Sequence, residues 1–210
     1  MRTRIKICGV CRPEDAAAAV GAGADAIGVV LADSPRRVTL AQARAVIDAV
    51  PAPVARVGVF VDASEGEVAE AVAALGLSFV QFHGAESPRR CAAAPVPAIK
   101  AFRVGSGFTV ADLEPYRYSV AGILLDACVP GVAGGTGESF DWDALPALPG
   151  WAALLLAGGL TAGTVGRAVR TLRPFAVDVS GGVEDRRREK DPEAMERFVA
   201  AVSAVDLEAS

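Results

Sequence analysis

Histidine is nearly absent from this chain: His83 is the only one in 210 residues. The four cysteines do not make up for it as metal ligands. Cys8 and Cys11 form a single C-x-x-C with no second pair, and Cys91 and Cys128 stand alone. A zinc site, which needs four such donors, is therefore not expected, and no metal is. The Cys8–Cys11 spacing by itself is compatible with a redox pair. No apolar stretch is long and unbroken enough to span a bilayer. The first residues are charged and run straight into a strand-like segment, without the apolar core of a secretory signal. These absences predict a cytoplasmic protein, where disulfides are rare. Excess positive charge is also missing: 21 Lys and Arg against 25 Asp and Glu give a formal charge of -4. That offers nothing to nucleic acid or to an anionic membrane. There is no linker, no low-complexity tract and no sign of a second domain. No Gly-x-Gly-x-x-Gly follows the first strand-like run, which argues against an open dinucleotide-binding sheet.

Hydrophobic residues are plentiful, at 52%, and they are arranged in short runs. The most telling pair is Ala153–Leu160 (ALLLAGGL) and Ala176–Val183 (AVDVSGGV). Each is a strand-length apolar run ending in two glycines, with one helix's worth of sequence between them. Glycine lets backbone N–H groups approach a ligand closely, and a helix starting just beyond adds free N–H groups and partial positive charge. Two such turns on neighbouring parallel strands would bind a phosphate.

The same unit repeats along the chain. Strands are expected at Arg4–Cys8, Ala26–Leu31, Ala55–Val61, Phe79–Phe82, Ala98–Phe102, Gly122–Leu125, Ala153–Ala157 and Ala176–Val179. Helices are expected at Pro13–Val20, Leu40–Val50 and Glu65–Leu75, from Pro88 to Ala94, at Val110–Tyr116 and Trp142–Leu148, after Thr161 to Thr171, and at Pro192–Val202. Thr39 with Gln42 and Ser64 with Glu67 read as capping boxes. The strands are continuous apolar runs, as parallel strands covered on both faces should be. Eight strand–helix repeats of about 25 residues predict a single-domain α/β chain folded as a (β/α)8 TIM barrel. An open doubly wound sheet is the alternative.

In such a barrel the chemistry sits at the C-terminal ends of the strands. Those positions hold Cys8, Arg36, His83, Arg103, Asp126, Gly158-Gly159 and Asp178 with Ser180-Gly181-Gly182. A thiol and a carboxyl flanking a small substrate can act as base and acid, provided the thiol can ionise. Cys8 and Asp126 are thus the proton-transfer candidates, although a free cysteine is as readily a small buried hydrophobe. His83 could serve as a base or simply hold a neighbour in place. Gln81, two residues earlier, shares its face. Gly134, Gly135 and Gly137 suit a mobile loop over the mouth, or a plain flexible connection. The run Arg186–Lys190 reads as a solvated loop, or as a basic rim that steers an anionic substrate.

Taken in order, these residues resemble the phosphoribosylanthranilate isomerases of tryptophan biosynthesis. The resemblance is carried by Lys6-Ile7-Cys8-Gly9, Ser34-Pro35-Arg36, Gln81-Phe82-His83-Gly84, Leu124-Leu125-Asp126, Gly134-Gly135-Thr136-Gly137, Ala157-Gly158-Gly159-Leu160, Asp178-Val179-Ser180 and Gly182-Val183-Glu184. It covers essentially the whole chain. It implies a barrel without cofactor, a monomer or homodimer, acting on a small phosphorylated substrate by an Amadori rearrangement. By the same resemblance, Asp126 would be the general acid and Cys8 the general base. Arg36 would meet the anthranilate carboxylate, while Gln81, His83 and Asp178 would face the substrate. Gly158, Gly159, Ser180, Gly181 and Gly182 would hold the phosphate. The chain departs from the family at Arg37, where an aromatic is common, at Cys11, usually polar, and at Gly181, usually serine. Asp185–Glu189 stands in place of a proline-glycine turn. The related histidine-biosynthesis isomerase barrel carries an aspartate where this chain has Cys8. A phosphosugar-binding module without turnover would have no need of both Cys8 and Asp126.

Overall fold

The computed structural model describes residues 2–105, 107–126, 148 and 150–208. Eight parallel strands close into a barrel: β1 (Arg4–Ile7), β2 (Ala26–Val30), β3 (Ala55–Phe60), β4 (Phe79–Phe82), β5 (Ala98–Arg103), β6 (Gly122–Asp126), β7 (Ala153–Ala157) and β8 (Ala176–Val179). The seam is shut by β1 against β8, with Lys6 opposite Asp178. Helices α1 (Pro13–Ala22), α2 (Leu40–Asp48), α3 (Glu65–Leu75), α4 (Pro88–Ala92), α5 (Ala162–Leu172) and α6 (Pro192–Glu208) alternate with the strands.

Local chemistry sets these boundaries. Pro13 opens α1, where a missing N–H costs nothing, and Gly23 ends it in the left-handed region at φ 106°. Both expected capping boxes form: Thr39 with Gln42 and Ser64 with Glu67 exchange side-chain and backbone hydrogen bonds. Thr161 stands at the start of α5, where its N–H donates to Thr164 Oγ1 at 3.0 Å.

The strands are covered on both faces, as their composition requires. Outward residues such as Ile5, Ile7, Leu125, Leu156 and Val177 pack under the helices. Inward residues Ile99, Ala101, Leu124, Leu155, Ala157 and Ala176 form a second, smaller core inside the barrel. That inner core fills part of the lumen and leaves the C-terminal ends of the strands to polar side chains.

Three expectations need correction. Val110–Tyr116 is not one helix but two single 3-10 turns, Val110–Asp112 and Glu114–Tyr116, with Leu113 buried between them. Pro115 has no N–H to continue a helical ladder. The last helix runs on to Glu208, six residues further than expected from Pro192–Val202. The run Arg186–Lys190 is solvated at Arg186, Arg187 and Glu189 but is not a plain loop: Glu184–Arg186 (β9) and Glu189–Lys190 (β10) pair as an antiparallel hairpin after β8, and Lys190 is buried. The helix expected at Trp142–Leu148, and Gly134, Gly135 and Gly137, lie outside the described residues, except Leu148.

Candidate active site

A cavity of about 480 Å³ opens at the C-terminal end of the barrel. Every described residue expected at the site lines it, apart from Arg103, which faces a neighbouring cavity with Lys100 and Tyr116. The strand register explains the convergence. Asp178 is the register partner of Lys6, and Cys8 lies two residues beyond Lys6 on the same inward face. Gln81 and His83 follow the same alternation on β4, and Asp126 is the last residue of β6.

Cys8 is 7% exposed and is a free thiol, as are Cys11 and Cys91. Burial, and then the Asp178 carboxylate, push the Cys8 pKa up, while Lys6 and Lys190 pull against them. The surroundings therefore raise the thiol's pKa on balance, whereas the simplest picture of a thiol base would have it lowered. Cys11 sits on the flank of the site, its thiol 3.4 Å from the Arg36 carbonyl oxygen.

On the opposite side, His83 Nε2 stands 3.3 Å from Asp126 Oδ2. Its other ring nitrogen, Nδ1, lies 3.3 Å from Gln81 Nε2. With Gln81 donating to Nδ1, the ring proton sits on Nε2 and points at Asp126. Gln81 borders the cavity and is itself buried, and among the described residues its Oε1 has no hydrogen-bond partner. A buried acceptor without a partner is costly unless something fills the place. A ligand hydroxyl or amine would do so.

The Arg36 side chain is held by Glu184. Its Nε and Nη2 donate to Glu184 Oε1 and Oε2 at 2.7 and 2.6 Å. Glu184 also accepts from Lys190 Nζ at 3.1 Å. Among the described residues nothing pairs with the remaining guanidinium edge, which suits a planar anion. Arg37, by contrast, is exposed and does not border the cavity.

The two glycine turns lie side by side on β7 and β8. Gly158 and Gly159 both have positive φ, 91° and 64°, which carries the chain sharply from β7 into α5. A Cβ on Gly182 would lie 1.9 Å from the Leu160 carbonyl oxygen, so only glycine allows the turns to close on each other. Their meeting point, next to the α5 N-terminus, suits a phosphate.

Several residues of the site had no assigned role from sequence. Lys6 is a charged residue between Ile5 and Ile7 in an apolar strand, and that isolation was its one signal. Glu184 and Lys190 lie in and beside a charged run that looks solvated. Among the described residues no cluster of metal-ligating side chains is present, and no helix is long and apolar enough to cross a membrane.

Comparison with known proteins settles the kinship. A family model described as N-(5'-phosphoribosyl)anthranilate (PRA) isomerase matches residues 5–201. The N-(5'-phosphoribosyl)anthranilate isomerase of Pseudomonas fluorescens is 51% identical over 201 residues, which is 95% of each chain. The chain belongs to the phosphoribosylanthranilate isomerase family. Solved structures of this family share its fold. The enzyme of Thermotoga maritima is similar with a TM-score of 0.83 at 35% identity, over 96% of this chain and 99% of that one. A family member in complex with reduced 1-(o-carboxyphenylamino)-1-deoxyribulose 5-phosphate is similar with a TM-score of 0.79 at 33% identity, over the same shares.

Proposed function

We propose that this chain isomerises N-(5'-phosphoribosyl)anthranilate to 1-(2-carboxyphenylamino)-1-deoxyribulose 5-phosphate in tryptophan biosynthesis, as a single-domain cytoplasmic enzyme, monomer or homodimer, that needs no cofactor. The observation that carries this reading is the convergence of Cys8 and Asp126 on one cavity beside the paired glycine turns, in a chain of this family. The substrate's phosphate binds at Gly158, Gly159, Ser180, Gly181 and Gly182. Its ring carboxylate meets Arg36.

Asp126 acts as the general acid. It protonates the ribose ring oxygen, the C1′–O bond breaks, and the anthranilate nitrogen takes up the positive charge as a Schiff base. Cys8, as thiolate, removes the proton from C2′. The electrons of that C–H bond neutralise the iminium and leave an enolamine, which tautomerises to the 2′-ketone. His83, fixed by Gln81, orients the Asp126 carboxyl. Asp178, anchored by Lys6, faces the sugar and the amine. General acid–base groups of this kind are worth about 10²–10⁴-fold each.

The test is turnover by Cys8→Ala and Asp126→Asn variants. Substrate is generated in place and loss of its anthranilate-type fluorescence is followed. Both variants should fall by at least about 10²-fold while keeping the wild-type circular dichroism spectrum and melting transition. Near-wild-type turnover in either one would overturn its assigned role.

A further inference from the structure

The β9–β10 hairpin brings a charge to the mouth that the mechanism above does not use. Its turn contains Arg188, a non-glycine residue with φ 78°. That conformation strains a side-chain-bearing residue, and the Arg188 side chain shows what offsets it. Nη1 donates to the carbonyl oxygens of Pro35 at 2.9 Å and Arg37 at 3.1 Å, the two residues flanking Arg36. The Arg188 N–H lies 3.4 Å from Glu184 Oε1, the carboxylate that grips the Arg36 side chain. The hairpin is therefore latched onto the loop that carries Arg36.

The residue before the latch, Arg187, borders the same cavity as Ser34 and Arg36. Its position is unlike that of the other cations there. Arg36 is committed on two nitrogens to Glu184. Lys6 is committed to Asp178, and Lys190 to Glu184 and Ser180. Arg187 has no ion-pair or hydrogen-bond partner among the described residues. An exposed guanidinium at the wall of an anion-binding cavity, held there by a latched backbone, is set to receive a carboxylate.

We propose that Arg187 is a second substrate-binding guanidinium that pairs with the carboxylate on the substrate's aromatic ring, beside Arg36. This rests on the function proposed above. The ring carboxylate is favoured over the phosphate as its partner because Arg188 fastens the hairpin to the loop that carries Arg36. In this chain the ring carboxylate is thus read by two arginines from different elements, and Arg187 makes the mouth selective for substrates that carry it.

The experiment compares wild type with Arg187→Ala and Arg187→Lys. Steady-state constants with phosphoribosylanthranilate are combined with inhibition by the reduced carboxyphenylamino product and by its phenylamino counterpart, which lacks the carboxylate. The expected result for Arg187→Ala is about a tenfold rise in KM and in the inhibition constant of the carboxylate-bearing compound, the size of one lost charged contact of about 1.4 kcal/mol. Its kcat should change less than twofold, Arg187→Lys should recover part of the loss, and the phenylamino compound should bind both proteins alike. Unchanged KM, or equal weakening of both inhibitors, would overturn the assignment of Arg187 while leaving the isomerase intact. Wild-type protein without turnover would overturn the function and this assignment together.

Discussion

Lys6 Nζ lies 2.8 Å from Asp178 Oδ1, joining β1 to β8 across the seam where the barrel closes. Both side chains are buried, at 2% and 9% exposure. Burial alone would drive the lysine toward its neutral form, but Asp178 and then Cys8 reverse this and hold the Lys6 pKa above its ordinary value. Lys6 is therefore held in its charged form opposite Asp178. Lys6→Met leaves a carboxylate buried without a counter-ion and should cost about 3–5 kcal/mol. Asp178→Asn should cost a similar amount. The double variant removes both charges and should regain more than half of the summed loss. Urea unfolding followed by circular dichroism checks all three, and a loss under about 1 kcal/mol for Lys6→Met would show the pair to be solvated.

The Cys8 thiol leads to a prediction about pH in which activity and stability move in opposite directions. Burial and Asp178 raise its pKa. A base must be a thiolate, so kcat/KM should climb with pH through the ordinary thiol range near about 8.5 and beyond it. For stability the sign is reversed. The folded chain keeps a proton that the unfolded chain gives up, so the unfolding free energy should fall as pH rises above about 8.5. Cys91, pushed up to about 11 by burial, adds to the same decline. Lys6, also raised, contributes only once the unfolded lysine titrates, above about pH 10.4. A pH–rate profile beside denaturant melts at several pH values separates the two effects. A rate that is already flat at pH 7 would mean that Cys8 is ionised in the free enzyme.

The barrel was legible because its signals are local. Apolar runs such as Ala153–Ala157 and Gly122–Leu125 are short, continuous and punctuated by glycine, and each strand declares itself within a few residues. The mouth residues followed, since a barrel fixes which strand ends converge. What could not be read locally were partnerships. Lys6 and Asp178 are 172 positions apart, and Arg36 and Glu184 are 148 apart. Nothing in either segment names its partner before the register is known. The hairpin was missed for a related reason. Arg186–Lys190 has the composition of a solvated loop, yet Lys190 is buried because Glu184 lies across the hairpin from it. The turns at Val110–Asp112 and Glu114–Tyr116 looked helical by composition, and the single residue Pro115 decided otherwise.

The glycines of the two turns proposed to hold the phosphate are not equivalent, and their substitution should separate geometry from chemistry. On Gly182 a Cβ would meet the Leu160 carbonyl oxygen at 1.9 Å, and neither backbone has a flexible end to move. Gly182→Ala must therefore push the β7 and β8 turns apart. On Gly181 a Cβ would meet only Arg36 Nη2, at 3.4 Å, the far end of a long side chain. On Gly159 it would meet open space, but at φ 64°, where an alanine is strained by about 1 kcal/mol. The expected order of inhibition by inorganic phosphate follows from these three environments. Gly181→Ala should stay within about twofold of wild type, and Gly159→Ala should lose about fivefold, the equivalent of its 1 kcal/mol of strain. Gly182→Ala should lose more than about tenfold, because it moves both walls of the site at once. Equal inhibition of all three would place the phosphate elsewhere in the mouth. Weakening by Gly181→Ala alone would shift the anion toward Arg36, and with it the orientation of the whole substrate.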